Sequence, residues 1–385
     1  MSHSRDRAAV GVAAFFSSAF LSVAAAEAQP PIAPVQSGWP PPQLQLRVPF
    51  EPTAFPSAGR TYLTYELHLT NFGSAPHVLR RIEVLDADTE VAGPVAAFEA
   101  GQLDDLLQSV GATVGVGPER RHLAAGGSLV AFLSVAFDRG THVPSTLRHR
   151  VIAEDLVAEG AAIGTHHTEL RVFGPPLKGA NWRANSGPSN DSYHRRGLFV
   201  IDGRAVIDRR YAIDWVKIDK GATSSGETRD NHAYHAYGEE VLAVADGRVV
   251  SAKDGVPENV PRHEGFRAAV PISLDTIAGN SITLDVGRGE FAFYMHLQPS
   301  SLRVKAGDRV RRGQVLARVG NSGDSREPHL HFEVTTSSRL LAGEGVPYVI
   351  DQYRVHSGNE SAQRRRELPL KDMLIDFGSG GVDPN

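Results

Sequence analysis

Two histidines one residue apart, His329 and His331, sit in the stretch Pro328-His329-Leu330-His331-Phe332-Glu333-Val334. On a strand, side chains alternate with period two, so both imidazoles point the same way, about 7 Å apart at their backbones. Such a pair can meet one metal ion, or divide the labour between metal ligand and acid–base catalyst. Glu333 falls on the same face, where it can orient an imidazole by hydrogen bonding. Leu330 and Phe332 point to the opposite side and pack behind. The chain has 16 His and no Cys. That composition excludes disulfides, a thiol nucleophile and cysteine metal sites, so a metal must rest on His and carboxylate. No Gly-x-Ser-x-Gly elbow occurs, which leaves serine hydrolase chemistry without support.

Short strands must position these residues. Asn280 to Val286 and Glu290 to Leu297 read as a strand pair around Gly287-Arg288-Gly289, and a further pair follows over 304–310 and 314–319, punctuated by Gly313 and Gly320. Upstream, 240–250 reads as strand, Asp246-Gly247 turn, strand.

Taken in order, Val241-Leu242-Ala243-Val244-Ala245-Asp246-Gly247-Arg248-Val249, Phe293-Tyr294-Met295-His296-Leu297, Gly320-Asn321-Ser322-Gly323 and the His-x-His strand resemble the lysostaphin/LytM-type metallopeptidase domain. The resemblance covers roughly residues 212–334, about a third of the chain, and is strongest over 296–334. It implies a compact antiparallel β domain whose groove holds one zinc per chain. The family's zinc ligands are a His, an Asp and the second His of the pair, while the first His of the pair and a His on the preceding strand serve the reaction. Carried over by position, His331 is a zinc ligand, His329 and His296 are catalytic imidazoles, and Asp214 in Tyr211-Ala212-Ile213-Asp214-Trp215 is the aspartate ligand.

The chain departs from the family at one point. The first histidine usually sits four residues before the aspartate, where Arg210 stands here. Arginine is always protonated and has no lone pair to give a metal. His194, in Ser192-Tyr193-His194-Arg195-Arg196-Gly197, is the expected replacement, because the extended stretch after it can bring it beside Asp214. His232 and His235 are its rivals, but they fall in a Gly/Ser/Asn/Asp-rich insertion and read as loop imidazoles. With His194, Asp214 and His331 as ligands, a fourth tetrahedral position stays open for water, the arrangement of a catalytic zinc. Asp324, Arg326 and Glu327 read as loop residues, with Arg326 a candidate contact for a substrate carboxylate.

The chain of 385 residues is long enough for two domains. Residues 1–28 read as a cleaved signal peptide, with Arg5 and Arg7 before an alanine-rich apolar run and Ala26-Glu27-Ala28 as the small-x-small site. No cysteine follows to carry a lipid, and no stable membrane insertion is expected after cleavage. A Pro-rich linker covers 29–43. Residues 44–173 read as an immunoglobulin-like β-sandwich, from alternating stretches such as Thr61-Tyr62-Leu63-Thr64-Tyr65-Glu66-Leu67 bounded by Gly, Asn and Asp turns. A second linker spans 174–193, the zinc peptidase domain 194–350 and a polar tail 351–385, where Arg364-Arg365-Arg366 reads as a solvated face. The fold class is therefore all-β. A formal charge of −4 gives no sign of a nucleic-acid binder. Resemblance and export together imply a periplasmic or secreted zinc endopeptidase acting on peptidoglycan crosslinks or stems, or on Gly-rich peptides. The alternative is a catalytically inactive relative that binds cell wall or regulates another wall hydrolase. A biotinyl/lipoyl carrier, which the 304–319 hairpin also resembles, lacks the lysine such carriers display at the hairpin tip.

Overall fold

The computed structural model describes residues 39, 41–89, 93–111, 117–261, 265–358 and 360–378. The expected signal peptide, and the expected linker up to residue 38, lie outside the described residues. Among the described residues, no helix is long and apolar enough to cross a membrane.

The chain is all-β, and alternation explains its first module. Along Arg60–Asn71, residues Leu63, Tyr65, Leu67 and Leu69 are fully buried. This strand pairs antiparallel over its length with Ser128–Asp138, whose Leu129, Ala131, Leu133 and Val135 join the same core. A second sheet built on His77–Asp86 and Thr146–Ala153 closes that core with Leu79, Ile82, Val84, Leu147 and Val151. The even positions of the first strand look outward. Glu66, one of them, is nevertheless only 3% exposed, because the second module covers it.

That second module is organised by an 11-stranded sheet. Its central run is Gly179–Asn185, Ile213–Lys217, Leu330–Thr335, Glu290–Leu297, Asn280–Gly287 and Gly247–Lys253, each antiparallel to the next. One face carries Trp182, Trp215, Leu330, Phe332, Tyr294, Ile282 and Leu284 into a common core. Burying side chains of this size stabilises by roughly 1.5–3 kcal/mol each. The small sheet of Glu240–Leu242 and Val315–Arg318 adds Val241 and Leu316 to that core. The opposite face holds the histidines.

Three features differ from the expectation. Residues 174–193 are not a plain linker, since Gly179–Asn185 is an interior strand of the large sheet with Trp182 wholly buried. The expected tail holds three strands, Val349–Ser357, Glu360–Glu367 and Leu374–Phe377, and Phe377 packs edge-on against Trp215. Glu240–Leu242 and Gly247–Lys253 do not form a hairpin, because each pairs with a different partner. In each case long-range pairing overrode a local signal: Gly and Asn content in the first, charge in the second, Asp-Gly turn chemistry in the third.

Candidate metal and catalytic site

Sheet register builds the site. Asp214 lies directly opposite His331, and His331 opposite Met295. Directly opposed residues share a face, so Asp214 and His331 stand side by side over the groove. His331 Nδ1 is 2.9 Å from Asp214 Oδ1. The other ring nitrogen, Nε2, lies 3.3 Å from Glu333 Oε2, two residues along on the same face. Leu330, Phe332 and Val334 fill the core on the other side.

His194 arrives from a single helical turn, Tyr193–Arg196. Its Nδ1 faces the Ser186 carbonyl oxygen at 3.0 Å, which turns Nε2 toward Asp214 Oδ2 at 3.4 Å. The Tyr193 hydroxyl donates to the same Oδ2 at 2.6 Å. His194 and His331 meet edge to face, their ring centres 4.7 Å apart.

His329 precedes the strand, with Nδ1 2.8 Å from the Glu327 carbonyl oxygen and 3.2 Å from Ser325 Oγ. Its Nε2 is 3.4 Å from Asp214 Oδ1. His296 needs a backbone exception to join the group. Ala292 and Tyr294 point to the core, Phe293 and Met295 to the groove, so simple alternation sends His296 coreward. A φ of +62° at His296 turns it back. Side chains other than Gly rarely adopt this left-handed conformation, and where they do it often marks a functional site. His296 Nδ1 is held 2.8 Å from the Ser322 carbonyl oxygen, and its ring centre lies 4.8 Å from that of His329.

Burial and charge set the protonation states of these groups. Burial disfavours ionised Asp214, but the His194 and His329 rings beside it outweigh that and hold its carboxyl well below the usual range. Burial, helped by the His331 and Arg209 charges, pushes His194 down to about 3 against the pull of Asp214, and burial with help from the His329 ring pushes His296 well below its ordinary value. Burial opposes a charged His331 too, yet Asp214 and Glu333 raise it to about 9. A buried anion among neutral and cationic imidazoles is a site from which a divalent cation would displace protons.

The residues fit a metal. Ligand atoms of His194, Asp214 and His331 all lie within 4.8 Å of one another. In each imidazole one nitrogen is held by an oxygen acceptor and the other is turned toward Asp214, the usual support of a metal-bound histidine. His232 and His235 lie elsewhere: His232 packs on Tyr237, and His235 Nε2 is 3.2 Å from Ser225 Oγ. A cleft of about 490 Å³ opens beside the group, lined by Tyr193, Asp214, Asp324, Arg326, Glu327 and His329 among others. Thus Asp324 and Glu327, expected only as loop residues, border the groove together with Arg326, expected also as a candidate contact for a substrate carboxylate. Arg326 stacks over Phe266 at 5.6 Å.

Arg210, at the family's usual histidine position, points away from the groove. It is 3% exposed and binds Glu66 Oε2 at 2.8 Å and Glu344 Oε2 at 2.9 Å. Sequence reasoning passed over Tyr193, although it adjoins His194, and Asp208. Among the described residues the buried Asp208 carboxyl finds no hydrogen-bond partner, and burial together with the Glu333 charge pushes it up to about 8.

Residues 232–342 match Peptidase family M23. The match takes in His296, His329 and His331 but begins after His194 and Asp214, which only the fold joins to it. An uncharacterized metalloprotease of Haemophilus influenzae is 33% identical over 120 residues, 31% of this chain and 22% of that protein. Glycyl-glycine endopeptidase ALE-1 of Staphylococcus capitis is 46% identical over 61 residues, 16% of each chain. Peptidoglycan DD-endopeptidase ShyA of Vibrio cholerae is 39% identical over 99 residues, 22% of this chain and 23% of that one. The chain thus spans about a fifth of the length of the curated relatives it matches. The resemblance to lysostaphin/LytM-type domains read from the sequence stands on these matches.

Proposed function

We propose that this chain, which carries a Peptidase family M23 domain, is an exported zinc endopeptidase that cleaves peptide bonds in peptidoglycan crosslinks or stems. The observation that carries the proposal is the convergence of His194, Asp214 and His331 beside His296 and His329 in one groove. The names of two relatives, a glycyl-glycine endopeptidase and a peptidoglycan endopeptidase, support the substrate class.

His194 Nε2, an Asp214 carboxylate oxygen and His331 Nδ1 would hold one zinc. The bound ion supplies a Lewis acid for the scissile carbonyl and a water of near-neutral pKa. Asp214 brings the negative charge that offsets part of the ion's own, and Glu333 keeps the His331 ring oriented through Nε2. His296 and His329 each have Nδ1 tied to a backbone carbonyl, which leaves Nε2 as the atom that takes or returns a proton. One accepts the proton of the attacking water and the leaving amine receives it, while the other donates to the developing oxyanion. The export part of the proposal rests on the signal-like residues 1–28.

Purified peptidoglycan and a pentaglycine peptide test the activity. New amino termini should appear with zinc-loaded protein, vanish on chelation and return with zinc. Absence of cleavage by protein that holds zinc would favour the second reading, a wall-binding or regulatory domain. Arg210 at the usual histidine position is the observation in favour of that reading; the placing of His194 beside Asp214 counts against it.

A further inference from the structure

Arg195 follows His194 in the chain, yet its side chain runs the other way, into the junction with the N-terminal module. It is fully buried. Nε donates to Glu66 Oε1 at 2.9 Å, and Nη2 donates to the carbonyl oxygens of Tyr65 and Leu133, both at 2.7 Å. Nη1 reaches Asn190 Oδ1. Tyr65 and Leu133 are paired residues on the two central strands of the N-terminal module. The turn that carries His194 is thereby fastened to that module by a guanidinium whose three nitrogens are all engaged.

The other oxygen of Glu66 is taken by Arg210, through Nε at 3.0 Å and Nη2 at 2.8 Å. Arg210 leads directly into the strand that bears Asp214. One carboxylate of the first module therefore grips the neighbour of His194 on one side and the approach to Asp214 on the other. Glu344 adds a second negative charge, so two arginines face two glutamates in the buried cluster. Burial opposes the charged form of Glu66, but Arg210 and Arg195 more than offset this and hold its carboxyl below the ordinary range.

Such a cluster is a costly way to join two modules, since apolar packing of the same volume is often as stable. What it adds is direction. A helical turn of four residues has no stability of its own in water, and His194 stands far from the place four residues before Asp214 where the family usually puts this ligand. Something outside the turn must hold it.

We propose that Glu66 is a positioning residue for the metal site, acting through Arg195 on His194 and through Arg210 on Asp214. The N-terminal module is then a structural part of the metal centre. The inference rests on the zinc reading of the site.

The test uses the full chain, with zinc affinity measured by chelator competition, the visible spectrum of the cobalt(II) form, and the thermal midpoint of each apoprotein. Glu66→Gln and Arg195→Lys should bind zinc about 10- to 100-fold more weakly and alter the cobalt spectrum, as loss of a supporting partner typically does. Val151→Ala, in the core of the same module, should lower the midpoint and leave affinity and spectrum unchanged. Folded Glu66→Gln and Arg195→Lys with wild-type affinity and spectrum would overturn the inference. If Glu66→Gln does not fold, Arg195→Lys alone decides. Failure of the unsubstituted chain to bind zinc would instead overturn the zinc reading, and this inference with it.

Discussion

Arg210→Met tests whether the residue that displaced the usual histidine has a structural task. The guanidinium makes two bonds to Glu66, one to Glu344 Oε2 at 2.9 Å and one to the Gly345 carbonyl oxygen at 3.1 Å. Methionine fills similar volume and supplies no donor. Glu66 keeps Arg195, but the Glu344 carboxylate, whose side chain is 12% exposed, loses its cationic partner. Breaking a buried ion pair on one side costs about 3–5 kcal/mol, because it strands a desolvated charge. Urea unfolding of the apoprotein should show a loss of that size. Adding Glu344→Gln to Arg210→Met should cost less than the sum of the two single changes, as expected for groups in contact. At saturating zinc the variant should still hold about one ion per chain, since arginine offers no lone pair. A loss below about 1 kcal/mol, with additive behaviour in the double variant, would refute the reasoning.

Three further outcomes are expected. His149 is buried in the N-terminal module between the Tyr65 hydroxyl and the Ala161 carbonyl oxygen, and burial pushes it from 6.5 down to about 4. The unfolded chain binds that proton first, so stability is intact above about pH 6.5 and falls by roughly 3 kcal/mol as pH drops to about 4; His149→Gln should flatten this part of the stability–pH curve, and an unchanged slope would count against it. Gly279 has φ +62°, and a Cβ there would lie 2.4 Å from the oxygens of Ser322, whose carbonyl holds His296. Gly279→Ala should therefore depress turnover while leaving zinc content near wild type, and equal loss of both would argue against the path through His296. His296→Ala and His329→Ala should retain zinc and lose about 100- to 10,000-fold in peptide cleavage, the range for removal of a general acid or base; near wild-type rates would remove either residue from the reaction.

Much of the candidate site is legible in the sequence because it follows strand alternation. His329, His331 and Glu333 share a side while Leu330 and Phe332 take the other, as period two requires. Arg210 cannot bind metal, so the sequence points to another histidine, His194, and the structure sets it 3.4 Å from Asp214. His296 was named from family resemblance alone, since its groove-facing pose depends on a positive φ that no periodicity reports. Glu66 could not be found from sequence, because its partners lie 129 and 144 residues away in the chain. Gly179–Asn185 was obscured in a similar way. Its Gly and Asn content suggests a linker, and only pairing with Ile213–Lys217 and Leu374–Phe377 makes it a strand.

Elemental analysis of the purified chain should find about one zinc in the wild type, and loss of it in both His194→Ala and His331→Ala, with each apoprotein folded by circular dichroism. Zinc retained in folded His194→Ala would move the first ligand elsewhere. No zinc in the wild type, after reconstitution, would contradict the metal centre itself.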